Sequence, residues 1–436
     1  MPDSQRRLKI AYAIQNVGQI DFSTDIGDSV PVKRSLQGLH RVGHTVVCFR
    51  LRKRAVIRYS LPDFEEEGRV PLRWIGSRGF LTLERGLRRL QKLFNFRYYA
   101  VLDSLRFYTG CRRILPGFDL CHEHNGLFSL GTALACRRMG LPYILTVSAD
   151  LLRERELSGQ PLTGFHAHFA AAAAGFTYRQ AVRILCVSEA ARRHLIEEYG
   201  VREEKISVLP NGVDTDVFKP GDEDNEPLRR ALGVGCDRLV TFVGSFQPWH
   251  GLELLVEAFS MIRARVPGVR LLLVGDGRAR AAVEAAIDRR GVRDGVTITG
   301  LLPQAQIPEI LAISDVTVMP YPTLSGDLWF SPLKMYEYMA AGKAIVASAA
   351  GQIAEVIRDG HSGVLVPPGD TGALSEACIR LLMHPEERRR LGENARTDAL
   401  ARHSWSNYTE RLERIYLKAL ESRSTVETAR VHRPTI

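Results

Sequence analysis

LVTFVGSFQPWHGLELLVEAFSMIRARVPGVRLLLVGDG, residues Leu239–Gly277, decides the fold. Leu239–Val243 is short, β-branched and apolar, and it breaks at Gly244, as a strand buried on both faces does. Leu252–Arg265 follows with apolar residues at helical spacing, and Pro267-Gly268 ends it. Arg270–Val274 is a second buried strand closed by Gly275. Strand, helix and strand in under forty residues form a βαβ unit, whose strands run parallel.

The same rhythm extends in both directions. Downstream, strands are predicted at Val296–Thr299, Val316–Met319, Ala344–Ala347 and Val364–Val366, with helices at Ala279–Arg290, Ile307–Ile313, Pro332–Ala341 and Thr371–Met383. Upstream, strands are predicted at Leu8–Ile14, Thr45–Phe49, Asp119–His122, Tyr143–Val147 and Ile184–Val187, alternating with helices. The chain has 436 residues, which suits two domains better than one. The expected division is 1–205 and 206–404, then a helix over 405–421 that returns to the first domain, and a disordered polar tail over 422–436. Open parallel sheets bind ligands beyond the carboxyl ends of their strands, so two of them facing each other make a cleft for two substrates.

The net charge of +10 favours anionic partners and says nothing about fold. The seven cysteines are odd in number and form no C-x-x-C pair, which reads as free thiols in a reducing cytoplasm. No apolar run is long enough to span a bilayer. The basic stretch 85–97 interleaves Arg85, Arg88, Arg89, Lys92 and Arg97 with leucines and phenylalanines. It reads either as a helix lying peripherally on anionic lipid at the inner face of a membrane, or as a core-facing helix with a solvated basic face.

The chemistry gathers at strand ends. Ser331-Pro332-Leu333-Lys334-Met335-Tyr336-Glu337 reads as a helix start, with Ser331 as N-cap and Pro332 at the first helical position. Lys334 in the first turn opposes the helix dipole unless an anion lies between it and the open N–H groups; the plain alternative is an i,i+3 pair with Glu337. Gly244 and Ser245 end a strand where a ligand can approach the backbone, and His250 is a candidate phosphate contact. Gly275-Asp276-Gly277 lacks the third glycine of a dinucleotide fingerprint. Gly300 and Leu301 offer backbone suited to reading a base edge. In the first half, His122 and His124 form a polar strand end with Glu123, Asp150 ends the next strand, and Gly27 and Asp28 precede the first helix. Gly27, Asp28, His122 and His124 are expected to form a substrate-binding rim on the acceptor side, with Asp150 a candidate catalytic residue and no metal site.

The succession Pro210-Asn211-Gly212-Val213-Asp214, Val243-Gly244 with Gly251-Leu252-Glu253, Val274-Gly275-Asp276-Gly277, Asp315-Val316 with Pro320-Tyr321, and Glu337-Tyr338-Met339-Ala340-Ala341-Gly342-Lys343 resembles the group 1 glycosyltransferases, family 4. That resemblance implies the GT-B arrangement of two facing Rossmann-like domains, the first on the acceptor side and the second on the donor side. It also implies a retaining hexosyltransferase. The donor would be a nucleotide-diphosphate sugar and the acceptor a sugar, lipid-linked or small-molecule hydroxyl. No cofactor, metal or nucleic acid is implied, and the setting is cell-surface polysaccharide or glycoconjugate synthesis.

By resemblance, Glu337 accepts hydrogen bonds from the ribose and the amides near Leu333 and Lys334 cradle the diphosphate. The family's first glutamate falls on Trp329, and its basic pair falls on Ser245 and His250. Lys334 is then the expected replacement for the missing charge, assisted by His250. No side-chain base replaces the family's histidine near Ser148, which suits a front-face mechanism. A nucleotide-sugar epimerase and an inactive nucleotide-sugar-binding subunit are the alternatives.

Overall fold

The protein is described by a computed structural model that covers residues 6–15, 20, 22, 29–52, 55–72, 75, 77–93, 99–157, 159–324 and 329–431. Its contacts divide the chain into two units, Met1–Leu209 with Tyr408–Ile436, and Pro210–Asn407.

The first unit is built on an eight-stranded sheet. Its strands are β1 (Lys9–Ile14), β2 (Thr45–Arg52), β3 (Ala55–Tyr59), β4 (Glu66–Pro71), β5 (Leu120–His124), β6 (Tyr143–Val147), β7 (Arg183–Cys186) and β8 (Ile206–Val208), in the order β4-β3-β2-β1-β5-β6-β7-β8. Two features depart from the expected layout. β3 and β4 add an antiparallel hairpin to the parallel strands. β4 is the edge strand, charged and largely exposed, so it carries no apolar signature; β3 is buried, but it is only five residues long and Arg58 interrupts its apolar run. β8 pairs in parallel with β7, which carries the first unit past the expected boundary at 205.

The second unit is a six-stranded, all-parallel sheet of β9 (Arg238–Val243), β10 (Val269–Val274), β11 (Val296–Gly300), β12 (Val316–Met319), β13 (Ala344–Ser348) and β14 (Val364–Val366), ordered β11-β10-β9-β12-β13-β14. Both faces are buried, and successive residues take opposite sides. Val240, Phe242, Leu271 and Leu273 belong to one core cluster, whereas Leu239, Val243, Leu272 and Val274 belong to the other. The helix Leu252–Arg265 buries Leu255, Val256, Phe259 and Ile262 on the first of these faces. The order reverses between β9 and β12, which makes their carboxyl ends the switch point of the sheet.

After the second unit the chain returns to the first. The helix Trp405–Val431 buries Leu412, Tyr416 and Ala419, which share a face at spacings of four and three. His44 contacts Glu413 at 3.1 Å, and Arg411 donates to the Val208 carbonyl at 2.8 Å. This helix runs on through Val431 where a disordered tail was expected from 422. The segment Ser422–Val431 contains no glycine or proline to stop it. Residues 432–436 lie outside the described residues.

Candidate active site

At the switch point of the second unit, the end of β9 meets the start of the helix Leu333–Ala340. Pro332, with ψ 115°, occupies the N-cap position that was expected for Ser331. The Ser331 hydroxyl instead accepts the Asn211 N–H at 3.2 Å, and its carbonyl accepts from Asn211 Nδ2 at 2.9 Å. No side chain caps the helix. The N–H groups of Leu333 and Lys334, at its first two positions, therefore have no acceptor within it. The helix ends as expected at Gly342, whose N–H donates to the Met339 carbonyl at 3.0 Å.

Lys334 does not form the plain surface pair with Glu337. Its ammonium is buried and, among the described residues, has no hydrogen-bond partner. It lies 4.1 Å from the centroid of the Phe242 ring. Burial pulls its pKa down to about 7, only partly opposed by the Glu337 charge. Gly244 sits directly beside it. With φ at 142°, and with Lys334 Nζ 2.6 Å from where a Cβ would stand, the position admits only glycine. Glu337 is also desolvated, which pushes its pKa up to about 7 against a hydrogen bond from Gln304 and the charge of Lys334. Gln304 Nε2 donates to Glu337 Oε1 at 2.7 Å, reaching across from the turn after Gly300 and Leu301. Leu301 itself is 70% exposed, and Ser245 is exposed at the tip of the loop.

His250 plays a different part from the one expected of it. Its Nδ1 donates to the Ser245 carbonyl at 2.5 Å, which fixes the tautomer because a carbonyl only accepts. The ring is boxed by Phe242 and Tyr321 at centroid distances of 5.9 and 5.6 Å. Burial, reinforced by the Lys334 charge, drives its pKa well below the ordinary imidazole value. Without a ligand the imidazole is therefore neutral, and it braces the Ser245–Gly251 loop.

In the first unit His122 does not join the expected polar rim. His122 is core. Its Nδ1 meets Tyr416 Oη at 2.5 Å and its Nε2 meets Thr146 Oγ1 at 2.6 Å. Burial, and then the neighbouring His124, lower its pKa to about 3. Alternate residues of β5 are all buried because helices cover both faces, so no side of the strand forms a rim. His124, at the strand end, contacts Ser148 Oγ at 2.8 Å. Gly27 and Asp28 lie outside the described residues. Asp150 is held by three partners: His194 Nε2 at 2.6 Å, and the N–H groups of Leu152 at 2.8 Å and Arg153 at 3.3 Å. Burial alone would raise its pKa, but these donors outweigh it and keep the carboxylate ionised. Asp150 borders an open pocket that is also lined by Phe128, Ser129, Tyr178 and Tyr199. Among the described residues no group of three or more His, Cys, Asp or Glu is placed to hold a metal.

Family models match in two consecutive blocks: Glycosyltransferase Family 4 over residues 31–217 and Glycosyl transferases group 1 over residues 224–398. The MMP alpha-(1->4)-mannosyltransferase of Mycolicibacterium hassiacum is 30% identical over 320 residues, covering 71% of this chain and 73% of the relative. The chain belongs to the group 1 glycosyltransferases of family 4. This glycosyltransferase is also 29% identical to the alpha-D-kanosaminyltransferase of Streptomyces kanamyceticus over 305 residues, 68% of this chain and 76% of that one. In fold it is similar to Anabaena HepE, solved in complex with UDP, with a TM-score of 0.68 at 19% identity over 94% of this chain and all of that one. The sucrose-phosphate synthase of Thermosynechococcus elongatus gives a TM-score of 0.67 at 19% identity over 95% of this chain and all of that one.

Sequence reasoning missed Phe242, Gln304 and His194. Phe242 had a usable signal, being the inward-facing residue two before Gly244 on β9. Gln304 and His194 reach their partners across gaps of 33 and 44 residues, which no local pattern encodes.

Proposed function

We propose that this glycosyltransferase transfers a hexose from a nucleotide-diphosphate sugar to a hydroxyl acceptor with retention of anomeric configuration, and that the second unit holds the donor. One observation carries the reading: a buried ammonium with no hydrogen-bond partner among the described residues, at a helix start whose N–H groups are open. Such a group is expensive to keep unless an anion completes it. A diphosphate supplies that anion, with the Leu333 and Lys334 amides taking its oxygens and Lys334 neutralising the charge that grows as the leaving group departs. Glu337, already oriented by Gln304, accepts the ribose hydroxyls. The leaving phosphate accepts the acceptor's proton on the front face, so the reaction proceeds without a metal ion or cofactor. HepE, solved with UDP and glucose, supports a uridine donor as the first to try.

The test is transfer from a panel of UDP-, GDP- and ADP-sugars in the presence of EDTA, with the product anomer read by NMR. Lys334→Ala is expected to lower turnover by about 10²–10³ while leaving the fold intact. Near-normal turnover in a folded Lys334→Ala protein would refute the reading. Interconversion of the nucleotide-sugar without transfer would make the protein an epimerase, and binding without either reaction would make it an inactive subunit.

The setting proposed for the reaction is the cytoplasmic face of an anionic membrane, in cell-surface glycoconjugate synthesis. The helix Arg78–Leu93 supports it. The side of this helix turned to the protein is held by Glu84, which is 5% exposed and takes hydrogen bonds from Arg106 and Arg88. Leu83, Leu87 and Leu90, one helical face by spacing, are 61%, 42% and 53% exposed, with Arg85 and Arg89 also exposed. The core-facing alternative expected those leucines inside. Exposed leucines flanked by arginines suit a headgroup boundary. Residues 94–97 of the stretch lie outside the described residues. Among the described residues no helix is long and apolar enough to cross a membrane. Flotation with phosphatidylglycerol vesicles that persists in a Leu83→Glu, Leu87→Glu variant would overturn the contact.

A further inference from the structure

The helix start at Leu333 is kept open by the segment that leads into the second unit. Serine is among the best helix caps, and a Ser331 hydroxyl turned toward the helix would satisfy one of its first N–H groups. That hydroxyl is engaged elsewhere. Asn211 grips Ser331 at both oxygens: its backbone N–H donates to Oγ at 3.2 Å, and its Nδ2 donates to the carbonyl at 2.9 Å. Ser331 Oγ in turn donates to Tyr336 Oη at 3.4 Å, and Tyr336 Oη donates to Gln352 Oε1 at 3.0 Å. Ser331, Tyr336 and Gln352 are all buried, so solvent does not replace a partner that is lost.

Asn211 is itself held in place. The Val213 N–H donates to the His403 carbonyl at 2.8 Å, and the Val213 carbonyl accepts the Trp405 N–H at 3.2 Å. Between Asn211 and Val213, Gly212 lies against the Trp405 ring, where a Cβ would stand 2.9 Å from Cε3. The His403 ring meets the Tyr336 ring at a centroid distance of 5.0 Å. The outgoing segment 210–213 and the returning segment 403–405 are therefore tied to each other and to the residues that hold Ser331, all within the second unit.

We propose that Asn211 is a positioning residue for the donor diphosphate: its grip on Ser331 keeps that hydroxyl from capping the helix, and so leaves the Leu333 and Lys334 N–H groups open to phosphate oxygens. Without the Nδ2 bond the Ser331 backbone is free to turn, and its hydroxyl becomes an internal acceptor that an anion must first displace. Holding the competitor away in advance is preorganisation, and it favours binding by removing a cost that would otherwise fall on the ligand. The proposal rests on the diphosphate reading of the helix start. It adds that a residue acting only through Ser331 sets the affinity for the phosphates and not for the nucleoside.

The experiment measures dissociation constants of UDP, inorganic pyrophosphate and uridine on the full chain, by calorimetry and ligand-observed NMR. Asn211→Ala is expected to weaken UDP and pyrophosphate by about fivefold, the fold-change that one N-cap hydrogen bond is worth, and to leave uridine unchanged. The double variant Asn211→Ala, Ser331→Ala has no hydroxyl to cap the helix, and is expected to recover UDP affinity to within about twofold of wild type. Tyr336→Phe frees the same hydroxyl from its other partner and is expected to weaken UDP by about threefold, which supplies the test if Asn211→Ala does not fold. Unchanged UDP affinity in a folded Asn211→Ala protein, or failing that in Tyr336→Phe, would overturn the proposal. So would uridine weakened as much as UDP, or a double variant no better than the single, because a merely structural residue gives those results. A wild type that binds pyrophosphate but not UDP would strike the nucleotide reading alone, and the same comparison on pyrophosphate then decides the role of Asn211. A wild type that binds neither would strike both.

Discussion

If the Lys334 ammonium is the group that a diphosphate completes, nucleotide binding must draw a proton from solvent at alkaline pH. In the free protein its pKa is pulled down to about 7. An ion pair with a diphosphate returns it to or above the ordinary lysine range of about 10.4. At about pH 8 only about one-tenth of the free protein carries the charge, so UDP binding should take up about 0.9 proton. Glu337 titrates in the opposite sense, because hydrogen bonds from ribose favour its ionised form. With its pKa also about 7, it is about nine-tenths ionised at about pH 8 and gives up about 0.1 proton there, for a net uptake of about 0.8, and at higher pH Lys334 alone sets the slope. Binding is therefore strongest at the lower pH, and Kd should rise about tenfold between about pH 8 and 9. Calorimetry in buffers of different ionisation enthalpy reads the uptake directly. In Lys334→Arg, whose charge does not titrate, both the uptake and the slope should vanish. A wild-type binding enthalpy independent of buffer, or a Kd flat within twofold over that range, would refute the assignment.

Other consequences can be checked on the same protein. Glu337→Gln should raise the UDP Kd by about tenfold, the cost of a charge-assisted pair of ribose hydrogen bonds, and change turnover less; an unchanged Kd would remove the ribose role. His122, with its folded pKa at about 3, lies below the ordinary imidazole value, so the unfolded chain binds the extra proton in the window between them. Thermal stability should therefore fall as pH drops from about 6.5 toward 3, by up to about 1.4 kcal/mol per unit, and His122→Gln should flatten that slope in melting curves. Of the seven cysteines, all free, only Cys236 is exposed. One thiol per native chain should react rapidly with a disulfide reagent, and seven after denaturation.

The parallel core was legible because most of its strands are short apolar runs, with β9, β10 and β11 closed by Gly244, Gly275 and Gly300, and such runs are a direct image of burial on two faces. The hairpin was not, since its edge strand Glu66–Pro71 is exposed and needs no apolar signature, and Ala55–Tyr59 is a five-residue run broken by Arg58. The helix start at Leu333 was visible in Ser331-Pro332, although Asn211 takes the Ser331 hydroxyl that local rules assign to the cap. Lys334 was found through its conflict with the helix dipole. Its perch on Phe242, the neutrality of His250 and the Asp150–His194 pair arise from residues brought together by the sheet order, and chain-local spacing carries no trace of them. His122 misled for a related reason: histidine is a polar letter in the sequence, yet here both ring nitrogens are satisfied by Tyr416 and Thr146.

The route of the chain has a consequence for how the molecule is made. It leaves the first unit after Leu209 and comes back at Tyr408, so that unit is discontinuous in sequence while the second is a single segment. A ribosome delivers the whole second unit before it delivers the helix that supplies Tyr416 to His122 and Arg411 to the Val208 carbonyl. The amino-terminal module, first to emerge, is thus the last to be finished. A nascent chain halted near residue 407 would hold a completed second unit behind an amino-terminal one still lacking its final strut.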